Sequence, residues 1–223
     1  MLTSAEIASE FHNLYYHSKV WRHTYWHSAP VLKCPFDLWI YQELICAVRP
    51  DLIIECGTWA GGSSLFMAHM LDIIKKGRII TIDILTADQV EAHYAEHLPN
   101  HPQPLSIRPV HRRIKQIIGS STEPAIVAEV HKAARDKDVV LVVADSDHRF
   151  EHTREELASY HSLVTPGSYF IMEDTNIPND GPKQAVEHFL RDHPEFVVAR
   201  EPEKFHMTFN PGGYLRRQIP DTR

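Results

Sequence analysis

Two short acidic runs, Asp145-Ser146-Asp147-His148 and Glu173-Asp174, have residue types suited to metal and proton chemistry. Each follows an apolar run of strand length, Val139–Ala144 and Ser168–Met172. If those strands lie side by side and parallel, their carboxyl ends meet and bring the carboxylates together. Carboxylates that crowd without a counter-charge repel one another and take up protons. A hard divalent cation relieves the repulsion, and two or three carboxylates with water and substrate oxygens suit Mg2+. Helix capping is the other explanation for Asp145 to Asp147, but it does not explain Glu173-Asp174 at the matching place.

A glycine loop supplies the second motif. An apolar run ending in Glu55-Cys56 leads into Gly57-Thr58-Trp59-Ala60-Gly61-Gly62-Ser63-Ser64 and then a helical pattern. A strand, a glycine turn and a helix N-terminus let backbone come close to a ligand and offer it free N–H donors. The dinucleotide fingerprint G-x-G-x-x-G is not met, since threonine, tryptophan and alanine separate Gly57 from Gly61. No Walker lysine follows. An acid at the strand end suits a ligand bearing an amino group, such as the methionine part of S-adenosylmethionine. Asp83, closing the next apolar run, is placed to bind ribose hydroxyls. A tight strand–helix turn without a ligand is the alternative, and Asp83 counts against it.

These residues need a scaffold that gathers strand ends. Strand-like runs fall at Leu52–Cys56, Arg78–Asp83, Ile114–Ile118, Val139–Ala144, Ser168–Met172, Phe196–Arg200 and Phe205–Phe209. Helical patterns separate the earlier ones: Ser63–Lys75, Ala87–Glu96, Glu123–Arg135, Phe150–Leu163 and Pro182–Arg191. Before them come a capping box, Thr3-x-x-Glu6, opening a helix that ends near Ser18, and a helix at Phe36–Val48 with Phe36, Trp39 and Leu44 on one side. The aromatic stretch between these two helices reads as an irregular packed segment. Alternating strands and helices predict an α/β fold with a mostly parallel sheet and helices on both faces. The short turn Glu201–Lys204 makes the seventh strand antiparallel. That is the Rossmann-like arrangement of class I methyltransferases.

Composition narrows the partners. The 223 residues carry 23 Lys+Arg against 29 Asp+Glu, a net charge of −6, and no basic stretch dense enough for nucleic acid. The apolar runs are too short to span a membrane, and no signal segment is visible, so a cytoplasmic location is expected. Cys34, Cys46 and Cys56 show no CxxC spacing and read as free thiols. Sixteen histidines are scattered from His12 to His206 without paired metal-ligand spacing.

Lys33-Cys-Pro-Phe-Asp37-Leu-Trp-Ile-Tyr41-Gln42-Glu43, the Glu55–Ser63 loop, Gly119-Ser-Ser-Thr122, Asp145-Ser-Asp-His148, the Gly167-to-Thr175 run and Asn210-Pro-Gly-Gly-Tyr214-Leu-Arg216 together resemble the cephalosporin hydroxylase family. Despite its name, that family consists of S-adenosylmethionine-dependent O-methyltransferases, among them rhamnosyl O-methyltransferases. The resemblance runs from about Trp26 to Arg217. It implies that Glu55, Gly57, Thr58, Gly61 and Ser63 line the methionine end of the cofactor. It puts Asp83 at the ribose, Ser120 or Ser121 near the adenine, and Asp145 beside the cofactor as well. Mg2+ falls to Asp145, Glu173 and Asp174, with Asp147 as the alternative to Asp145. Asp37 and Gln42 match without a role that can be derived.

The expected reaction moves a methyl group to a hydroxyl of a rhamnosyl-like sugar or another hydroxylated natural product. His148 is the candidate base beside the metal aspartate Asp145, with His152 one turn on as a weaker one. Residues 1–35 are expected to form an N-terminal helix and an aromatic-rich lid or interface segment, with 36–223 as the methyltransferase domain. Trp21, Tyr25 and Trp26 can wall the acceptor side, clamp the segment to the domain, or join subunits of a homo-oligomer. Two other readings stand beside this one. An iron hydroxylase has only His193-Pro-Glu195 as an H-x-D/E motif and calls for a jelly roll. A non-catalytic S-adenosylmethionine-binding module leaves the acidic residues idle.

Overall fold

Thr3 and Glu6 exchange side-chain and backbone hydrogen bonds, a complete capping box, and α1 (Ser4–Ser18) follows. The computed structural model describes residues 2–97, 105–177 and 181–220. After α1 come a 3-10 turn (Val20–His23) and a small hairpin, β1 (Tyr25–Trp26) and β2 (Ala29–Pro30). Next are α2 (Pro35–Val48), β3 (Leu52–Cys56), α3 (Gly62–Ile73), β4 (Arg78–Asp83), α4 (Ala87–His97) and β5 (Ile114–Ile118). The chain continues with α5 (Pro124–Ala134), β6 (Val140–Ala144), α6 (Phe150–Tyr160), a 3-10 turn (His161–Leu163) and β7 (Tyr169–Met172). It ends with α7 (Pro182–Asp192), β8 (Phe196–Val198) and β9 (Tyr214–Arg217).

Seven strands form one sheet in the order β5-β4-β3-β6-β7-β9-β8. β9 is antiparallel to both neighbours, while β3 to β7 pair in parallel. The order reverses between β3 and β6, and a crevice opens at their carboxyl ends, the usual ligand position in open α/β sheets. This is the expected class I methyltransferase architecture.

Side-chain alternation sets the two faces. Leu52, Ile54 and Cys56 point with Val140, Val142 and Ala144 toward α5, α6 and α7. Ile53, Leu141, Val143 and Ile171 point the other way, into the layer of α2 and α3. The same period of two sends Glu55, Asp145 and Glu173 to the α2/α3 side, because each follows a residue that faces α5–α7.

Three expectations are corrected. The last strand is Tyr214–Arg217, not Phe205–Phe209. Met207 and Phe209 instead bury against Cys34, Tyr15, Tyr16 and Trp21, and Asp37 fixes the segment by accepting from Thr208 Oγ1, the Phe209 amide and Tyr214 OH. The buried face of α2 is Asp37, Ile40, Tyr41, Leu44 and Ile45, whereas Phe36 and Trp39 are exposed. The helix expected at Phe150–Leu163 is α-helical only to Tyr160 and tightens to 3-10 geometry at His161. No helix among the described residues is long and apolar enough to cross a membrane.

Candidate active site

Backbone packing at the sheet's carboxyl end builds the site. Gly57 has φ +95°, and a Cβ there would stand 1.9 Å from the Asp145 carbonyl oxygen. Only glycine lets the loop after β3 close onto the end of β6, where the Asp145 amide donates to the Cys56 carbonyl at 2.8 Å. The next rung repeats the pattern, with the Glu173 amide donating to the Ala144 carbonyl at 3.0 Å. Adjacent parallel strands thus set the glycine loop, Asp145 and Glu173 side by side.

The carboxylates are not equivalent. Lys33 Nζ donates to Asp145 Oδ2 and Glu173 Oε1, both at 2.6 Å, and Tyr41 OH donates to Glu173 as well. Burial opposes the Lys33 charge, but the two carboxylates outweigh it and hold its pKa raised. Burial pushes Glu173 up to about 8, with Lys33 opposing and Asp145 adding. Asp145 feels the same burial, but Lys33 and His148 overcome it and hold the carboxyl below its ordinary value. One ammonium thus faces one firm carboxylate and a second carboxyl that readily keeps its proton.

On the open side, His148 Nε2 lies 3.4 Å from Asp145 Oδ1 and 3.3 Å from Asp174 Oδ2. Burial would lower His148; hydrogen bonding to Asp145 and the charges of Asp145, Asp174 and Glu173 raise it to about 9. Burial also lifts Asp174 to about 6, helped by Asp145 and opposed by His148. Ligand atoms of Asp145, His148 and Asp174 all lie within 4.8 Å of one another. Two carboxylate oxygens converging in a partly open pocket fit a hard cation. Glu173 stands behind them, facing Lys33 and Tyr41. Asp147 is committed to Arg149 through both oxygens, at 2.6–3.0 Å.

A cavity of about 740 Å³ joins the two halves of the site. Gly57, Thr58, Trp59 and Ser63 line it together with Asp145, His148 and Asp174, and with Trp21, Arg22 and His23 of the N-terminal segment. Glu55 lies beneath the loop, 1% exposed, with its carboxylate accepting from Ser63, Ser64 and Thr81. Asp83 accepts from the Trp59 and Leu85 amides at 2.6 and 2.8 Å. Arg108 Nη2 stands 3.2 Å from Asp83 Oδ2 yet is a buried donor without a hydrogen bond among the described residues. Asp83 and Arg108 are thus ion-paired to each other, and neither is among the residues that line the cavity.

Other expected residues have different surroundings. Gly61, φ +81°, is crossed by the Arg108 backbone, 3.0 Å from where its Cβ would be. Ser121 is buried and donates to Glu156 at 2.5 Å, in a network that includes Ser146 and His152. Ser120 bonds Thr122. Trp21 packs in the Phe209 cluster, and Trp26 packs edge-on against Phe66 with its indole N–H on His69. Lys33 and Tyr41 went unassigned in the sequence because they lie 112 and 132 residues from the carboxylates that they touch. Asp37 likewise acts 171–177 residues away. The parallel α/β sheet removes the jelly roll that the hydroxylase alternative requires.

Comparison with known proteins agrees with this architecture. The family model described as Rhamnosyl O-methyltransferase/CmcI matches residues 18–218. Rhamnosyl O-methyltransferase of Mycobacterium leprae (strain TN) is 32% identical over 225 residues, which take in 95% of this chain and 91% of the relative. That of Mycobacterium tuberculosis (strain H37Rv) is 28% identical, covering 96% and 86%. Among solved structures, CmcI with Mg and SAM superposes with a TM-score of 0.61 at 17% identity, covering 89% of this chain and 78% of that one. CalS11, a TDP-rhamnose 3'-O-methyltransferase, gives 0.54 at 20% identity, covering 81% and 78%. With a family match over residues 18–218 and a relative 32% identical along nearly its whole length, the chain belongs to the rhamnosyl O-methyltransferase/CmcI family.

Proposed function

We propose that this chain is an S-adenosylmethionine-dependent O-methyltransferase acting on a hydroxyl of a rhamnosyl-like sugar or another hydroxylated natural product. One observation carries the reading: a single cavity runs from the glycine loop to Asp145, His148 and Asp174. The relatives named rhamnosyl O-methyltransferase support the reaction, and the CmcI structure with Mg and SAM supports the cofactor pair.

Methyl transfer is an in-line displacement, so the acceptor oxygen must sit about 3 Å from the methyl carbon and opposite sulfur. Gly57, Thr58, Gly61 and Ser63 shape the seat for the methionine end, with Glu55 holding the two serines from below. Asp83, ion-paired to Arg108, is the residue for the ribose, and Ser120 or Ser121 stands near the adenine. Asp145 and Asp174 are the residues that would hold a divalent cation, backed by Glu173. The commitment of Asp147 to Arg149 favours Asp145 over it. When bound there, such a cation would lower the hydroxyl pKa and offset the carboxylate field that keeps His148 protonated. His148 Nε2 is placed to accept the hydroxyl proton, and a bound S-adenosylmethionine would supply the methyl group and depart as S-adenosylhomocysteine.

Residues 1–35 serve as the acceptor-side segment, since Trp21, Arg22 and His23 line the cavity. Ile7, Phe11 and Leu14 share one exposed face of α1, which supports contact between copies of the chain. The test is incubation with S-adenosylmethionine, Mg2+ and a panel of rhamnosylated acceptors, read by mass spectrometry. A product one methylene heavier, with S-adenosylhomocysteine, is expected; EDTA and Asp145→Asn both abolish it. Methylation at full rate by the metal-stripped protein would overturn the metal assignment.

A further inference from the structure

The scattered histidines converge once the chain is folded. His161 opens the 3-10 turn after α6, His193 caps α7, and Glu195 stands just before β8. One ligand atom from each lies within 4.8 Å of the other two. The group is remote from the active site. The turn after α6 leads into the start of β7, α7 leads into the start of β8, and these two strands run the same way. His161, His193 and Glu195 therefore sit at the amino ends of the strands, opposite the carboxyl ends that hold Asp145 and Glu173.

The local geometry is that of a ligand set. His161 Nδ1 is 2.8 Å from the Leu157 carbonyl, which can only accept, so Nδ1 carries the ring proton and the Nε2 lone pair is left for a metal. Proteins fix metal-binding imidazoles by this kind of outer hydrogen bond. His193 Nδ1 and Glu195 Oε1 are 3.2 Å apart. Neighbouring ligands on a tetrahedral ion with bonds of roughly 2.0–2.1 Å stand about 3.3 Å apart. Phe189 stacks on His193 at 4.2 Å and meets His161 edge-on at 5.5 Å, so both rings are held in place. The His193 and Glu195 side chains are 28% and 40% exposed, which leaves an entry from solvent. A simple His193–Glu195 ion pair accounts for two of the residues but not for the His161 ring standing 4.3 Å from that of His193.

We propose that His161, His193 and Glu195 form a second metal site, distinct from the catalytic one, for a borderline transition ion of the Zn2+ class. Two imidazoles and one carboxylate suit Zn2+ and disfavour Mg2+, which prefers oxygen alone. A bound ion would tie the ends of α6 and α7 to the entry of β8, which among the described residues pairs only with β9. This site does not depend on the methyl-transfer reading.

The test is calorimetric titration of Zn2+ into EDTA-treated protein, in the wild type and in an Asp145→Asn/Asp174→Asn background that silences the active-site carboxylates. One equivalent of tight binding is expected in that background. His161→Gln and His193→Gln each weaken it about tenfold or more. Co2+ in place of Zn2+ gives visible absorption that the same variants lose, and Zn2+ raises the melting temperature of the wild type but not of His193→Gln. Circular dichroism checks that the variants fold, and Glu195→Gln alters a solvent-facing ligand if a histidine variant does not. Zn2+ affinity unchanged in these variants, no tight equivalent in the background, or equal affinity for Mg2+ and Zn2+ would each overturn the site.

Discussion

Lys33→Met tests the electrostatic logic of the active site, because it removes one charge and keeps most of the buried volume. Lys33 is 3% exposed and stands 2.6 Å from both Asp145 and Glu173. Removing one member of a buried pair typically costs about 3–5 kcal/mol, since the remaining charge is left without compensation. Two features reduce that here. Glu173, already at about 8, takes a proton at neutral pH with little further cost. Asp145 has a side chain 26% exposed, so water screens part of its loss. About 3 kcal/mol at pH 7.5 is therefore the expected destabilisation. The sign with pH follows from linkage. Lys33 has a raised folded pKa, so its contribution is fully present below the ordinary lysine value of 10.5. Asp145 has a lowered one, so its contribution exists above 3.8 and fades as pH falls through the folded value. Without Lys33, burial raises Asp145 instead, and the gap between variant and wild type opens as pH rises from about 4. Urea unfolding of metal-free protein at pH 4.5 and 7.5 measures both ends. A loss under about 1 kcal/mol at pH 7.5, or a larger loss at pH 4.5, would refute the triad as described.

Three other outcomes follow from the geometry. Gly57→Ala places a methyl group 1.9 Å from the Asp145 carbonyl at a φ of +95° and should cost about 3 kcal/mol or more in thermal unfolding, while loosening cofactor and metal together. In metal-free protein, His148 should titrate near 9 by proton NMR, and saturating Mg2+ should bring its midpoint down; an unchanged midpoint would separate the imidazole from the cation. Asp37→Ala strands the Phe209 amide and Tyr214 hydroxyl that it accepts from, an expected loss of about 3 kcal/mol in denaturant unfolding, whereas Asp37→Asn keeps an acceptor and loses less.

What the sequence disclosed and what it hid divide along a physical line. Strand positions were legible because β3, β6 and β7 are buried on both faces and read as unbroken apolar runs. From them the meeting of Asp145 with Glu173 follows, since parallel neighbours in register bring like ends together. The last strand misled because Phe205, Met207 and Phe209 alternate like a strand, yet Met207 and Phe209 serve a satellite cluster and Phe205 lies exposed against Phe36, while Tyr214–Arg217 carries two arginines and looks polar. Period-two reasoning carried one step further would have shown that Glu173 turns toward α2. What it meets there is invisible in sequence, since Lys33 reaches the carboxylates across 112 and 140 residues of chain.

The histidines follow the same rule. His161 and His193 show no metal spacing because α6 and α7 bring their own ends together, and only the packing of those two helices reveals it. Local patterns thus located the elements and the residues at their tips, whereas contacts between the N-terminal segment, α2 and distant loops decide how those residues are charged. At the active site that distinction has a functional consequence. Lys33 supplies one positive charge to Asp145 and Glu173 from beneath, on the dry side of the sheet end. On the open side, where Asp145 Oδ1 and Asp174 Oδ2 face His148, the balancing charge is an imidazolium, which a divalent cation would replace. Moving that lysine to the open side would place a fixed cation where the proposed reaction needs an exchangeable one.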